Sequence, residues 1–506
     1  MSLNDERWDA ICVGSGITAL AFAAQMAALA PKRRILILEK HYSPGGYATW
    51  FRRGKLVFDC SLHKLSGVGA GGNLKRIFDA LGLTDELEFV YPTDFFEADR
   101  EGRTTALSNE YPAFKAQLLE MFPTETEGLG RFFEELEIHG KNAYLQFQIM
   151  NGDFLPDVKQ LRHARKHLSR ITVAQALDDR FRDPFLKQLL SAPGIYVGGF
   201  EEDLGYLYYL HILYATLTCG NAYVKGSSQR LSNLLAARVR KAGGAVLLRT
   251  EVSSISVDES GRASGVETSR GHFRSDRVYV NASPQFAMER LLPPMDCLTP
   301  AREKLATLKP SWSTTTLYLA TDAPPAALGL ANSETMFFSA RAGEASALRQ
   351  ASALTGSESS VEDALWSAST MEVTNYHRLD PAGGNVICLN VLDRLAHWPE
   401  RETLEYEAKK ARAGRVLLER FLAQRPAFAG HILHQELSSP RTYQRYTNNH
   451  AGAGYGALVG PDASGHTFHY NFPIPGIHFL SAWVAGPSYE AAFGYAEMKA
   501  RSFEDA

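Results

Sequence analysis

Four apolar residues, Ala10 to Val13, run without a polar break into Gly14-Ser15-Gly16, and a stretch of alanine, leucine and phenylalanine follows from Ile17. A short continuous apolar run bounded by glycine reads as a buried parallel strand, and small apolar residues on every side read as a buried helix. A second apolar run, Ile35 to Leu38, ends in Glu39. Strand, glycine turn, helix, strand and acid is the order of a dinucleotide-binding unit. Gly14 permits the tight turn, Gly16 lets the backbone approach a pyrophosphate, and Ala19 keeps the helix close to the strand. The helix start, from Ser15 to Thr18, offers free N–H groups and a positive dipole end to the phosphates. Glu39, 25 residues after Gly14, is placed to accept hydrogen bonds from the adenosine ribose hydroxyls. Its charge disfavours a 2′-phosphate, so FAD or NAD is expected over NADP.

Further along, the period changes several times. Tyr223 to Leu231, then Gly243-Gly244, Leu247 to Val252, Gly265-Val266 and Val280 to Pro284 read as a helix, a strand, a short hairpin and a returning strand. A last block, Gly476 to Gly494, lies near the end of the sequence. Two long insertions separate these blocks, at roughly 75–220 and 286–440. The first reads as largely helical, with apolar positions at helical spacing in Thr172 to Leu190; the second mixes strands, such as Ser313 to Leu319, with helices. Glu344 to Asp363, rich in Ser, Ala and Glu, reads as a loop.

Lys40, Gly45, Gly46 and Thr49 directly follow the second strand. They resemble the basic-x4-Gly-Gly signature of the large FAD family that includes amine oxidases and phytoene desaturases, with Lys40 where arginine is usual. Phe58-Asp59-Cys60-Ser61-Leu62-His63 resembles the Phe-Asp-x-Gly-x-His stretch of carotenoid isomerases and retinol saturases, with Ser61 in place of glycine. The blocks at 223–284 and 476–494 extend the resemblance over about 480 residues.

The resemblance implies an α/β fold: an FAD-binding Rossmann-type (GR2-like) domain with an inserted α+β substrate domain. Residues 1–75, 221–285 and 441–506 would form the FAD domain, and 76–220 and 286–440 the substrate domain, a sheet roofed by helices above the flavin. It also implies that Lys40 or Thr49 reaches ribityl or phosphate oxygens and that Val252 touches the adenine through its backbone. Ala482, Trp483, Glu490 and Ala491 belong to the closing strand and helix, whose N-terminus points at the flavin. Many relatives carry Asp or Gly at the places of Ala482 and Trp483, and three glycines at those of Gly486, Pro487 and Ser488.

Composition narrows the picture. A chain of 506 residues buries a large core. A net charge of −3 leaves no electrostatic footprint for a nucleic-acid partner. Five scattered cysteines without a Cys-x-x-Cys pair read as reduced thiols, and the 15 histidines show no metal-ligand spacing. Met-Ser-Leu-Asn-Asp-Glu-Arg at the start lacks the basic-then-apolar layout of a signal peptide, so a cytoplasmic protein is expected.

Two features bear on the substrate. Gly205 to Gly220 is uncharged with His211 neutral, and it is too short to span a bilayer; it suits a buried helix or the lining of an apolar tunnel. Residues 159–170 interleave Lys159, Arg162, Arg165, Lys166 and Arg170 with apolar residues, either a solvated face or a peripheral contact with an anionic membrane that admits a lipophilic substrate. His63 is the candidate acid or base near the flavin. Lys64 would place positive charge there, and Tyr455 would face the flavin or the cavity. The resemblance implies desaturation, isomerisation or saturation of a lipophilic polyene, terpenoid or acyl-type compound. Amine oxidation and a non-catalytic lipid-binding relic are the alternatives.

Overall fold

The computed structural model describes residues 6–149, 166–343, 346–347, 365–461 and 472–503. The basic segment 159–170, apart from 166–170, and the stretch 344–363, apart from 346–347, lie outside the described residues. The apolar runs form a five-stranded parallel sheet in the order Ala245–Leu247, Ile35–Leu38, Ala10–Val13, Val278–Val280 and Ile477–Phe479. Both strands of the first unit are buried at every position, as parallel strands covered on two faces must be. The helix Ile17–Leu29 is buried from Thr18 through Met26. Its alanines let it pack closely against helices Ser227–Lys241 and Tyr489–Arg501. One unit is thereby clamped by segments far away in the chain.

The second layer is a seven-stranded sheet. Its order is Ile432–Ser438, Ser313–Thr321, Val386–Asp393, Met371–Asn375, Glu334–Phe338, Asp94–Arg100 and Arg103–Ser108. Glu334–Phe338 runs parallel to Asp94–Arg100, and the other pairs are antiparallel. The last two strands in that order, Asp94–Arg100 and Arg103–Ser108, come from the insertion expected to be largely helical. A bulge between Asp94 and Phe96 puts Phe95 and Phe96 side by side in the interior, which erases the two-residue alternation that signals a strand.

Alternation along Glu334–Phe338 shows what the sheet separates. Met336 and Phe338 join a core built by helices of the first insertion, whereas Phe337 joins the core beneath helix Leu404–Gln424. On that second face Asp393 accepts hydrogen bonds from Thr315, Trp366 and Trp398 at 2.6, 3.1 and 2.9 Å, which ties the sheet to the two tryptophans packed on it. The uncharged stretch after Gly205 is the helix Tyr206–Thr218, packed in the helical core. Among the described residues no helix is long and apolar enough to cross a membrane. All five cysteines are free.

Candidate functional site

A groove opens at the carboxyl ends of the parallel strands, where ligands of doubly wound sheets bind. Gly14, Ser15, Gly16 and Thr18 line it from the turn, Glu39 and Lys40 from the second strand's end, and Gly45 and Gly46 from the next loop. Val252, Ala482 and Trp483 complete it from distant segments. The groove holds about 1020 Å³ of space between atoms, its mouth included.

The lining fits a dinucleotide. Gly14 has φ +91°, a backbone that favours glycine. A Cβ on Gly46 would stand 3.1 Å from the Gly16 Cα, so the two loops form one narrow floor. Gly16 heads the first helix without a side-chain cap, leaving first-turn N–H groups for an anion. In the opposite wall the buried Ser481 Oγ has no partner among the described residues. Such an orphan asks for a ligand oxygen.

Glu39 does more than end a strand. Its Oε2 accepts from the Ser15 amide at 2.8 Å and from Ser15 Oγ at 2.7 Å, while Oε1 accepts from the His41 amide at 2.8 Å. It braces the glycine turn and leaves its remaining lone pairs to the groove. Lys40 Nζ donates to the Arg445 carbonyl at 3.2 Å; burial lowers its pKa against the pull of Glu251 and Glu39.

Four expected residues stand elsewhere. Ala19 is fully buried between helix and strand. Thr49 donates to Gln229 Oε1 at 2.5 Å instead of turning to the groove. Glu490, at the start of the closing helix, accepts from Ser66 Oγ and Tyr144 Oη, both at 2.7 Å, and burial raises its pKa. Ala491 spends its amide on the Ser488 cap.

Beyond the groove lies a chamber that shares Ile17, Thr18, Tyr47 and Ala482 with it, so the two spaces adjoin across these residues. Tyr47, Tyr196, Tyr443, Tyr455 and Tyr489 ring the chamber, with Ile17 and Ile195 among its apolar lining. Gly198 makes room for one of these rings: a Cβ there would meet Tyr455 Cδ2 at 2.5 Å. A smaller recess, lined by His63, Lys64, Tyr455, Ile212 and Thr216, continues inward.

The chamber's polar side is written by sheet register. Thr316 pairs with Asn390, and Asn390 with Glu372, so three neighbouring strands place these side chains in one row. Thr316 Oγ1 donates to Asn390 Oδ1 at 2.5 Å, and Asn390 Nδ2 donates to Glu372 Oε2 at 2.6 Å. Glu334 pairs with Thr374 on the next strand and shares this face. A one-residue slip would turn the whole row to the opposite side.

His63 and Lys64 meet this row from a loop. Asp59 shapes that loop by accepting from the amides of Ser61 and Leu62 at 3.2 and 3.0 Å, and Tyr376 Oη holds the Leu62 carbonyl at 3.0 Å. His63 Nδ1 bonds the Thr374 hydroxyl, which donates to Glu372 Oε1, and the ring nitrogen lies 3.2 Å from that same oxygen. Lys64 Nζ lies 2.9 Å from Glu334 Oε2, and Tyr196 Oη donates to Glu334 Oε1 at 2.5 Å. Burial alone would lower the His63 pKa; Glu372, then Glu334 and Asp59, lift it to about 9. Glu372 is held below the ordinary range by His63 despite its burial, while burial raises Glu334 against the pull of Lys64.

Glu334, Glu372, Asn390 and Tyr196 did not stand out in the sequence. A usable signal existed for the two acids. Each sits inside a strand whose other residues are uncharged, Glu334-Thr-Met-Phe-Phe and Met371-Glu-Val-Thr-Asn. A charge kept in a buried strand is costly unless it is partnered or used.

The turn before the closing helix is strained. Ser488 has φ +96° and ψ 159°, a region essentially reserved for glycine. Relief of that strain is worth about 1–3 kcal/mol, whereas exchanging a serine cap for glycine costs a few tenths. Ser488→Gly is therefore expected to raise stability by about 1 kcal/mol. A higher urea midpoint would confirm it; a lower one would show that the Ser488 Oγ bond to Ala491 at 3.2 Å outweighs the strain.

Residues 18–491 match the model of the family described as flavin containing amine oxidoreductase. The all-trans-retinol 13,14-reductase of Rattus norvegicus is 27% identical over 345 residues, covering 62% of this chain and 54% of the relative. Prolycopene isomerase 1 of an Oncidium hybrid cultivar is 27% identical over 308 residues, covering 57% and 50%. The chain thus spans about half the length of the curated relatives it matches. Among solved structures, an oxidoreductase from Methanosarcina mazei aligns over 98% of this chain and 100% of its own, at 13% identity and a TM-score of 0.61. Cyclohexylamine oxidase from Brevibacterium oxydans aligns over 99% of both chains, at 14% identity and a TM-score of 0.61. At such identities the shared feature is the fold.

Proposed function

The chain belongs to the flavin containing amine oxidoreductase family, with FAD as cofactor, and from that premise we propose that it acts on carbon–carbon bonds of a lipophilic polyene, terpenoid or acyl-type substrate by desaturation, isomerisation or saturation. The observation that carries this reading is the adjacency of groove and chamber, which share Ile17, Thr18, Tyr47 and Ala482 in their walls. A substrate in the chamber would lie beside a cofactor held in the groove, among the lining tyrosines. The names of the two relatives, which refer to retinol and prolycopene, support a polyene class.

The residues proposed to hold FAD are Gly14, Ser15, Gly16, Thr18, Glu39, Lys40, Gly45 and Gly46, with Val252, Ala482 and Trp483 at the walls. When bound, FAD supplies acceptance or donation of two electrons together with hydrogen. The chain's part is to position the substrate, exclude water and move a proton at His63. Lys64 balances Glu334, and Tyr455 shapes the chamber beside His63. The basic segment 159–170 is the proposed point of peripheral membrane contact, since a lipophilic substrate is delivered from a bilayer.

An absorption spectrum followed anaerobically against a panel of polyenes and saturated precursors tests the assignment. Spectral change of the flavin with a panel member supports it and names the direction. Bleaching by amines alone would replace it with amine oxidation, and purified protein that neither carries nor binds flavin would leave the lipid-binding alternative.

A further inference from the structure

His63 is faced from every side by groups that fix its charge. Glu372 and Thr374 approach from one strand and Glu334 from the next, Lys64 follows it in the chain, and Asp59 lies behind the loop. The Tyr196, Tyr455 and Tyr489 side chains line the same two spaces as its ring. Two buried carboxylates thus stand opposite two nitrogen bases.

We propose that Glu372 is the positioning residue of this site: with Thr374 it holds the His63 ring by Nδ1 and keeps a proton on Nε2, so that the chamber presents an acid to its substrate. Glu372 is itself immobilised, because its other oxygen accepts from Asn390, and Asn390 is held by Thr316. Glu334 is engaged separately, at Oε1 by the Tyr196 hydroxyl and at Oε2 by the Lys64 charge alone, which leaves His63 as the counter-ion of Glu372. With Nδ1 engaged, the proton available to the chamber is the one on Nε2, which bonds no described residue.

The inference rests on the carbon–carbon bond chemistry proposed above and gives it a direction. An Nε2–H acid gives its proton to one carbon of a double bond: the N–H bond breaks, the π pair forms the new C–H bond, and the ring is left neutral with its remaining proton on Nδ1. The other carbon's hydrogen and electron pair would be supplied by FAD held at the 14–16 turn and Glu39, with a two-electron donor of the reduced-nicotinamide class as the reductant the balance requires. Addition of hydrogen across a double bond is the outcome such a site favours, because removal would need a neutral ring.

A histidine-labelled NMR titration of the flavin-loaded protein tests the pair, with His63→Asn identifying the His63 signal. The wild-type ring is expected to be charged at pH 7 and to titrate near pH 9. Glu372→Gln removes the largest of the groups that oppose burial and is expected to lower that midpoint by at least about two pH units. Glu372→Asp restores most of it, and Thr374→Val, which keeps the side chain's shape, lowers it less. A ring already neutral at pH 7, or a midpoint unmoved in the folded Glu372→Gln and Thr374→Val proteins, overturns the proposal. No substrate enters this measurement. A polyene panel that fails while the titration succeeds therefore rejects the substrate class and leaves the acid pair standing.

Discussion

Gly16→Val is expected to purify without flavin, retaining it at least about 100-fold more weakly, a loss of about 2.7 kcal/mol. The reason is space. Gly16 has φ −59° and ψ 163°, which valine adopts without strain. A Cβ there, however, would stand 2.1 Å from Asn281 Oδ1. Asn281 cannot swing aside cheaply, because its Nδ2 holds the Leu480 carbonyl at 2.9 Å just past the sheet's last strand. Either that link breaks or the valine side chain fills the floor where a pyrophosphate would lie. Gly130→Ala is the control: nothing lies within 4 Å of its Cβ position, so its flavin content is expected to match the wild type. The flavin-to-protein absorbance ratio reads both, and a fully yellow Gly16→Val protein would refute the placement of the cofactor.

His63→Asn is expected to keep its flavin and lose turnover by about 10²–10⁴-fold, the usual worth of a positioned acid or base. Asparagine retains a polar contact for Thr374 but carries no titrating proton. The loss should appear in kcat with flavin stoichiometry unchanged, which separates it from the Gly16 effect. In the wild type, an acid role predicts activity that falls as pH rises through about 9. The same raised pKa ties His63 to stability. Its charged ring contributes fully below the ordinary histidine value of 6.5, and that contribution is lost as pH rises through about 9. Retained turnover in His63→Asn would return the residue to a structural role.

What the sequence made legible was local. Strand, turn, helix and acid follow one another within residues 10–39, and their chemistry depends on neighbours a turn or a strand away. His63 was found for the same reason, since its own segment carries the pattern. Its partners were not, because 311 residues separate it from Thr374 and only sheet register brings the two together. The hairpin 94–108 was hidden by its bulge. Glu490 was misleading in a different way. An acid opening the closing helix invites a role toward the flavin, but tertiary packing turned it to Ser66 and Tyr144.

The parallel sheet also dictates when this protein can assemble. Its edge strand is residues 477–479, its last helix is 489–501, and both secure a unit that begins at residue 10. At a synthesis rate of about 5–20 residues per second, the amino-terminal unit emerges from the ribosome roughly 20 to 90 seconds before its partners. Through that interval the face of its first helix that meets Tyr489–Arg501 has nothing to cover it. Contacts so distant in sequence also close slowly. The biosynthetic consequence of this strand order is that the amino-terminal unit cannot be completed until residues 477–501 have been made.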